Sequence, residues 1–366
     1  MLILRRRCCP ARWMILQQTT SSTAFSERRV KMGRQTQMNK LTSPELTKQI
    51  NPENIQLMND FLEYLRSLKR SEGTIKGYKS DLLIVFTYVL QHCGNKSFID
   101  LKKREIVSLQ NWLINENGNS PARVRRVKAA LSSLSNYIEN ILDDEYEDFR
   151  PIIRKIENPQ NTPVREKSVF STEEMEVILQ KLTEAGKFQI ACALALAVYS
   201  GRRKAELTRF KVDWFKPENV VFDYFYCTPE KVLTKGAKMI DCYVIKSGFD
   251  PYLKRWLQQR KDLSINSEWL FVTKTDKGYE QASAETLNSW AQTIDRFTVK
   301  PFYWHSMRHL FVSNLVRDGM SESDITDVVG WANSAMVQVY NDVPASERLS
   351  KFFENKRAAE AEEAEK

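Results

Sequence analysis

Residues 304–342 read WHSMRHLFVSNLVRDGMSESDITDVVGWANSAMVQVYND, and the rest of the chain is arranged around them. Two of the chain's three histidines lie in His305-Ser306-Met307-Arg308-His309. Positions i, i+3 and i+4 share a helix face, so His305, Arg308 and His309 point one way, with Val312 and Val316 continuing the stripe. This helix should stop near Asp318-Gly319, since glycine is the usual residue just past a helix end. Ser321 then caps a short helix, 323–329, which Gly330 ends. Asn333 caps a third, Pro344 lies beyond its last residues, and Met336 and Val337 pack inward to fix Tyr340 near its end. The spacing predicts a polar cationic cluster on one helix and a tyrosine on a short element that can move as a unit. A metal reading of the histidine pair does poorly. No Glu follows His305 as in His-Glu-x-x-His, and Arg308 puts fixed positive charge where a cation would sit.

The ordered set His305-x-x-Arg308-His309, then Gly330-Trp331, then Tyr340 nine residues after the tryptophan resembles the C-terminal motif of the tyrosine recombinases, the phage-integrase family. A lone His-x-x-Arg would say little; the ordered combination is specific. The resemblance spans residues 50–345 and implies an enzyme that breaks and rejoins DNA strands, with Tyr340 as its nucleophile.

At 366 residues the chain has room for two domains with cores of their own, and no apolar run is long enough to span a membrane. The formal net charge is +9, but residues 1–40 hold nine Lys or Arg against a single acid, Glu27, so the remainder is nearly balanced. Any DNA contact by the body must come from positive charge gathered on one face. Cys8, Cys9, Cys93, Cys192, Cys227 and Cys242 show no Cys-x-x-Cys spacing, which predicts free thiols and a reducing, intracellular setting. The expected localisation is cytoplasmic, nucleoid-associated in a prokaryote, with organelle targeting as the lesser alternative. Residues 1–45, basic and rich in Ser, Thr and Gln, are expected to be disordered. Three readings of them stay open: an arm that touches DNA phosphates, an organelle transit peptide, or an extension upstream of a true start at Met32 or Met38.

Residues 50–145 read as a helical domain, with helices near 53–68, 72–91, 103–116 and 121–142. Ile75, Tyr78, Leu82, Phe86 and Val89 fall at helical steps, as do Val124, Val127, Leu131, Leu134, Ile138 and Ile141 behind the Ser120-Pro121 cap. Arg123, Arg125, Arg126 and Lys128 surround the start of the last helix, while Lys76 and Lys79 belong to a cluster at the first helix junction. Singly such charges read as a solvated face; together they look like the DNA contacts of the family's core-binding domain.

Residues 146–168, following an acidic run and containing Pro151, Pro159 and Pro163, read as a linker. A catalytic domain at 169–345 opens with the capping box Ser171-x-x-Glu174. A helix near 188–199 is apolar on nearly every face, marking the centre of a core. It leads into Ser200-Gly201-Arg202-Arg203-Lys204-Ala205-Glu206-Leu207, which resembles the family's Thr-Gly-Leu-Arg-x-x-Glu-Leu and places its arginine on Arg203, with Arg202 where an apolar residue is usual. Residues 220–226 and 239–245 are β-like and joined through Thr234-Lys235-Gly236-Ala237-Lys238, where Gly236 suits a tight turn. The resemblance puts a catalytic lysine on Lys235, with Lys231 and Lys238 as rivals. In the tail, 346–366, Leu349, Phe352 and Phe353 form a short apolar patch on a small helix that either folds back or docks on a neighbouring protomer.

The fold expected is mainly α with a small antiparallel β-sheet, in two domains that clamp double-stranded DNA. Arg203, Lys235, His305, Arg308, Trp331 and Tyr340 are its expected catalytic set, with no metal and no cofactor. Many members of the family carry His at the Trp331 position. His309 is expected to hold Arg308 or its helix in place. The resemblance also implies a homotetramer in the synaptic complex. Two alternatives carry less: a type IB topoisomerase, which shares the chemistry but works alone, and a catalytically inactive DNA-binding factor.

Overall fold

The computed structural model describes residues 41–160, 168–234, 238–350, 353, 354 and 357. They fall in two compact units that divide between Glu166 and Lys167. No helix among the described residues is long and apolar enough to cross a membrane.

The first unit is helical. Its elements are α1 (Pro44–Thr47), α2 (Pro52–Ser67), α3 (Glu72–His92), α4 (Lys103–Asn111), which runs on into a π-helical turn at Trp112–Glu116, and α5 (Pro121–Ile141). Side-chain caps set the starts: Asn51 accepts from the Glu53 amide, Ser71 from Thr74 and Ser120 from Arg123, each satisfying a backbone donor that the first helical turn leaves unpaired. Leu82, Val85 and Phe86 of α3 meet Val124, Val127, Leu131, Leu134 and Ile138 of α5 in a core with essentially no exposure. Ile141, the last residue of α5, leaves this stripe and is exposed. Phe149 and Ile153, one helical turn apart within the expected linker, are buried against the same core. Apolar residues thus carry this unit's packing past its last long helix.

The second unit is built around α7 (Phe188–Ser200), with α6 (Thr172–Glu184) before it and α8 (Lys204–Leu207) after it. Ser171 and Glu174 form the reciprocal capping box at the start of α6. Every residue from Ala191 to Val198 is at most 2% exposed, because α7 is packed between α6, α9 (Lys246–Asp262) and α11 (Trp304–Arg317). Further helices are α10 (Ala284–Asp295), α12 (Glu322–Val329) and α13 (Ala335–Tyr340), and residues 345–350 of the tail are helical as well. Ser321 accepts from the Asp324 amide at the start of α12, and Gly330 closes it at φ +74°. The Asn333 side chain accepts from the Ala335 amide at the start of α13. Cys93, Cys192, Cys227 and Cys242 are free thiols.

The β-structure departs from the single hairpin expected between 220–226 and 239–245. Strand β1 (Val220–Val221) doubles back onto β2 (Phe225–Cys227), which pairs with β5 (Tyr243–Ile245); β3 (Val232–Leu233) and β4 (Met239–Ile240) form a separate antiparallel pair. The first reversal is made by Phe222 and Asp223, both left-handed at φ +55° and +51°. Aspartate tolerates that conformation, but a bulky aromatic rarely adopts it, so the turn had no glycine to announce it. A further hairpin, β6 (Val272–Thr275) with β7 (Gly278–Gln281), turns through Asp276 and Lys277.

Candidate active site

Gly201 ends α7 at φ +59°. A side chain there would strain the turn, and its Cβ would lie 2.6 Å from the Phe311 ring. The close approach brings α11 against the turn that carries two arginines, whose side chains diverge. Arg202 is fully buried and donates to the Ser200 and Val328 carbonyls. Arg203 stays partly exposed and pairs with Glu206 at 3.1 Å. Glu206 also accepts from the Arg203 amide at 3.0 Å, so a carboxylate buried to 1% exposure sets the direction of Arg203.

From α11, His305, Arg308 and His309 meet Tyr340 of α13. The Tyr340 hydroxyl lies 3.0 Å from His305 Nε2, and His305 is itself exposed. Arg308 is 1% exposed; its Nη1 donates to the Gly201 carbonyl at 3.0 Å, and its guanidinium lies 5.0 Å from the Trp331 ring centre and 5.7 Å from that of Tyr340. His309 stacks on the Tyr340 ring, centres 4.5 Å apart, and its Nδ1 lies 3.2 Å from the Tyr340 carbonyl and 3.4 Å from the Asp342 carboxylate. The Asp342 amide donates in turn to Ser313 Oγ at 2.9 Å. His309 therefore grips the segment around the tyrosine, and nothing in the spacing of Asp342 or Ser313 announced their part in this.

Trp331 follows the turn at Gly330, whose Cβ would stand 2.6 Å from Ile240 of β4. That contact seats the β3–β4 pair against the tryptophan turn. Lys238 Nζ lies 3.5 Å from the Trp331 carbonyl, and the Thr234 amide donates to the Lys238 carbonyl at 2.8 Å. Lys235 lies outside the described residues, as does Phe352; Lys231 is exposed.

Three guanidiniums, Arg202, Arg203 and Arg308, stand against one buried carboxylate, Glu206. Burial first, then the neighbouring Arg202 and Arg203, pull Arg308 down to about 9, with Glu206 opposing. Among the described residues Arg308 Nε, Arg202 Nη1 and Trp331 Nε1 are buried donors without a partner. Unpaired buried donors are costly, and an anion is the species that would satisfy them. Among the described residues no group of three or more His, Cys, Asp or Glu side chains could hold a metal ion.

In the first unit the six basic candidates separate. Lys76 and Lys79 are exposed. Arg123 and Arg126 of α5 both pair with the buried Asp81 of α3, Arg126 through Nε at 2.8 Å, while its side chain remains 57% exposed. Arg125 donates through Nε and Nη2 to the Pro159 carbonyl. Lys128, expected on the DNA face, is instead buried. Its ammonium donates to Gln110 Oε1 and to the Ile156 and Glu157 carbonyls.

The phage integrase family model matches residues 168–347, and that of the phage integrase N-terminal SAM-like domain matches residues 57–148. The SPbeta prophage-derived recombinase-like protein YomM of Bacillus subtilis (strain 168) is 30% identical over 261 residues, 68% of this chain and 74% of its own. A tyrosine recombinase of Thermosipho africanus (strain TCF52B) is 22% identical over 300 residues, 81% of this chain and 96% of its own. The lambda integrase tetramer bound to a Holliday junction shares the fold, with a TM-score of 0.58 at 15% identity over 84% of this chain and 82% of that one. With a relative at this identity spanning most of both chains, and with both units matched, the chain belongs to the phage integrase family and is a tyrosine recombinase.

Proposed function

We propose that this tyrosine recombinase cuts and rejoins double-stranded DNA at specific sites through a covalent 3′-phosphotyrosine made by Tyr340. The observation that carries the reading is the meeting of the Tyr340 hydroxyl with His305 Nε2 at 3.0 Å beside the buried Arg308. His305 takes the phenolic proton as the oxygen attacks phosphorus. The new bond is phosphorus to tyrosine oxygen; the bond to the 5′-oxygen breaks, and that oxygen leaves with a proton for which Lys235 is the proposed donor. Attack of a 5′-hydroxyl from the partner strand reverses these steps, so the number of phosphodiesters is conserved and no nucleotide energy source is required.

Charge accounting supports the same reading. Three guanidiniums less one carboxylate leave the pocket about two positive charges in excess. A phosphodiester brings one negative charge, and its transition state with a phenolate spreads a second over the phosphoryl oxygens. Fixed donors aimed at such developing charge contribute roughly 10²–10³ each in rate. Planar guanidinium suits Arg203 and Arg308 to this clamp, and Trp331 can only donate. Because the Tyr340 ring packs against Trp331 and His309, and the Tyr340 and Trp331 rings lie over Arg308, α13 has to shift for a phosphate to reach Arg308 Nε and Trp331 Nε1.

Lys76, Lys79, Arg123 and Arg126 are the proposed phosphate contacts of the first unit. Each active site cuts one strand, and exchange of two duplexes takes four cuts, so we propose a homotetramer on DNA, as in the lambda integrase complex, closed by head-to-tail contacts. The exposed Leu349 and Phe353 are its proposed docking residues. The test is a nicked suicide substrate made from the DNA flanking the gene, with covalent adducts mapped. Tyr340→Phe should bind the site as the parent does and form no adduct; adduct formation undiminished in that variant would remove Tyr340 as the nucleophile.

A further inference from the structure

The last four carbonyls of a helix have no partner within it, and in α12 each one is accounted for. Thr326 accepts from the Trp331 amide at 2.9 Å and Asp327 from the Gly330 amide at 3.1 Å. Val328 accepts from Arg202 Nη2 at 2.5 Å and Val329 from Arg308 Nη2 at 3.5 Å. Two arginines therefore finish the helix that presents Trp331, where the helix dipole favours positive charge. Arg308 belongs to the catalytic set in the reading above; Arg202, although fully buried and counted in the pocket's charge, does not. Its Nε also holds the Ser200 carbonyl at 3.2 Å, at the very turn that launches Arg203. On its other side lies Cys242, a buried thiol just past the β3–β4 pair, raised by burial with Arg202 the first of the groups that oppose it. Burying a guanidinium is costly, and an apolar side chain could fill the same space.

We propose that Arg202 is a positioning residue for strand cleavage: it ties the Arg203 turn to the end of α12 and so fixes the spacing between Arg203, Arg308 and Trp331. This inference rests on the strand-cleavage reading of the site. The link joins residues 126 positions apart in sequence and runs directly beneath the phosphate-binding groups. Without it, α12 can slide relative to the turn after α7, and the donors no longer meet one phosphate.

The experiment compares full-length parent, Arg202→Lys and Arg202→Met on the nicked suicide substrate. It measures half-site affinity, the single-turnover rate of adduct formation at saturating DNA, and that rate with a methylphosphonate at the scissile position. A misplaced clamp predicts half-site binding within about threefold of the parent and an adduct rate about 10- to 100-fold lower in Arg202→Met. Arg202→Lys, which reaches one carbonyl but not both, should fall between. The neutral methylphosphonate needs less charge neutralisation, so the deficit should shrink on it. A role confined to folding would lower the melting temperature and the competent fraction while leaving the rate per competent molecule and its response to methylphosphonate unchanged. That result would overturn the inference, as would a parental rate in both variants. If Arg202→Met fails to fold, Arg202→Lys decides by the same two readouts. A parent that forms no adduct would instead sink the cleavage reading, and this inference with it.

Discussion

Trp331→Phe separates chemistry from stability in one substitution. The indole N–H is a buried donor without a partner among the described residues, and phenylalanine removes it while keeping a ring against Arg308 and Tyr340. An unsatisfied donor costs about 1–3 kcal/mol, which the variant regains. It gives up on the order of 40 Å² of buried apolar surface, about 1 kcal/mol, and part of the cation–π contact to Arg308, about 1 kcal/mol more. These contributions nearly cancel, so the melting temperature should move by only a few degrees. If the N–H binds a phosphoryl oxygen as charge builds, its loss removes a charge-assisted hydrogen bond of about 1.5–3 kcal/mol, which is about 10- to 150-fold in rate. The assay is single-turnover adduct formation at saturating substrate, with calorimetry on the same preparations. Trp331→His, which restores a donor, should recover most of the rate. A Trp331→Phe protein that cleaves at the parental rate would refute the donor role; one that slows only in step with lost folded protein would make Trp331 a packing residue.

Cleavage should proceed unchanged in excess EDTA, since Arg308 holds fixed positive charge where a metal would act; a strict need for Mg²⁺ in the chemical step would point to another phosphoryl-transfer class. Lys76→Ala with Lys79→Ala should weaken binding to all sequences and flatten the dependence of log K on log salt by about 1.8, close to 0.9 for each lost phosphate contact. Lys128→Met should leave that slope alone yet lower the stability of the first unit by about 1–3 kcal/mol, because the Ile156 and Glu157 carbonyls lose their donor; a slope change in Lys128→Met would return this lysine to the DNA face. If residues 1–40 touch phosphates, deleting them should also reduce the slope while keeping the ranking of sites; an unchanged slope would favour the transit or misassigned-start readings.

The active-site helices were legible because their signals are local. Caps at Ser171, Ser321 and Asn333, the stop at Gly330 and the i, i+3, i+4 spacing of His305, Arg308 and His309 each act within a turn or two of backbone, where sequence distance and spatial distance agree. The apolar run after Phe188 likewise could only be a buried helix. Legibility ended where one residue's role depends on another far along the chain. Arg202 looked like a perturbation of the arginine motif, and its meaning came from Val328, an acceptor 126 residues away. The reversal at Phe222-Asp223 was hidden for a different reason: it places a bulky side chain at positive φ, against its own preference, and sheet pairing on both sides has to hold it there.

The basic start of α5 shows why charge read along a helix misjudges a binding face. Arg123, Arg125, Arg126 and Lys128 fall within two turns, yet successive positions rotate by about 100°, so four neighbours in sequence cannot all face one ligand. Lys128 turns inward and is consumed by backbone carbonyls, and Arg125 is held by Pro159. Arg123 and Arg126 share Asp81, but that carboxylate is buried and single, so it orients two guanidiniums without cancelling both charges. Arg126 lies against Gly77, whose Cβ would stand 3.2 Å from Arg126 Nη2, which brings it beside the α3 segment carrying Lys76 and Lys79. Those four cations less Asp81 leave an excess of about three positive charges along one helix pair, a patch with the sign and size that neutralising a few adjacent phosphates requires. Asp81 fixes where two of the patch's charges stand, so if this patch is the proposed phosphate contact, Asp81→Asn should loosen it and weaken half-site binding even though it makes the protein more positive. Tighter half-site binding by Asp81→Asn would mean that net charge alone governs this face and that the arrangement of its arginines is immaterial.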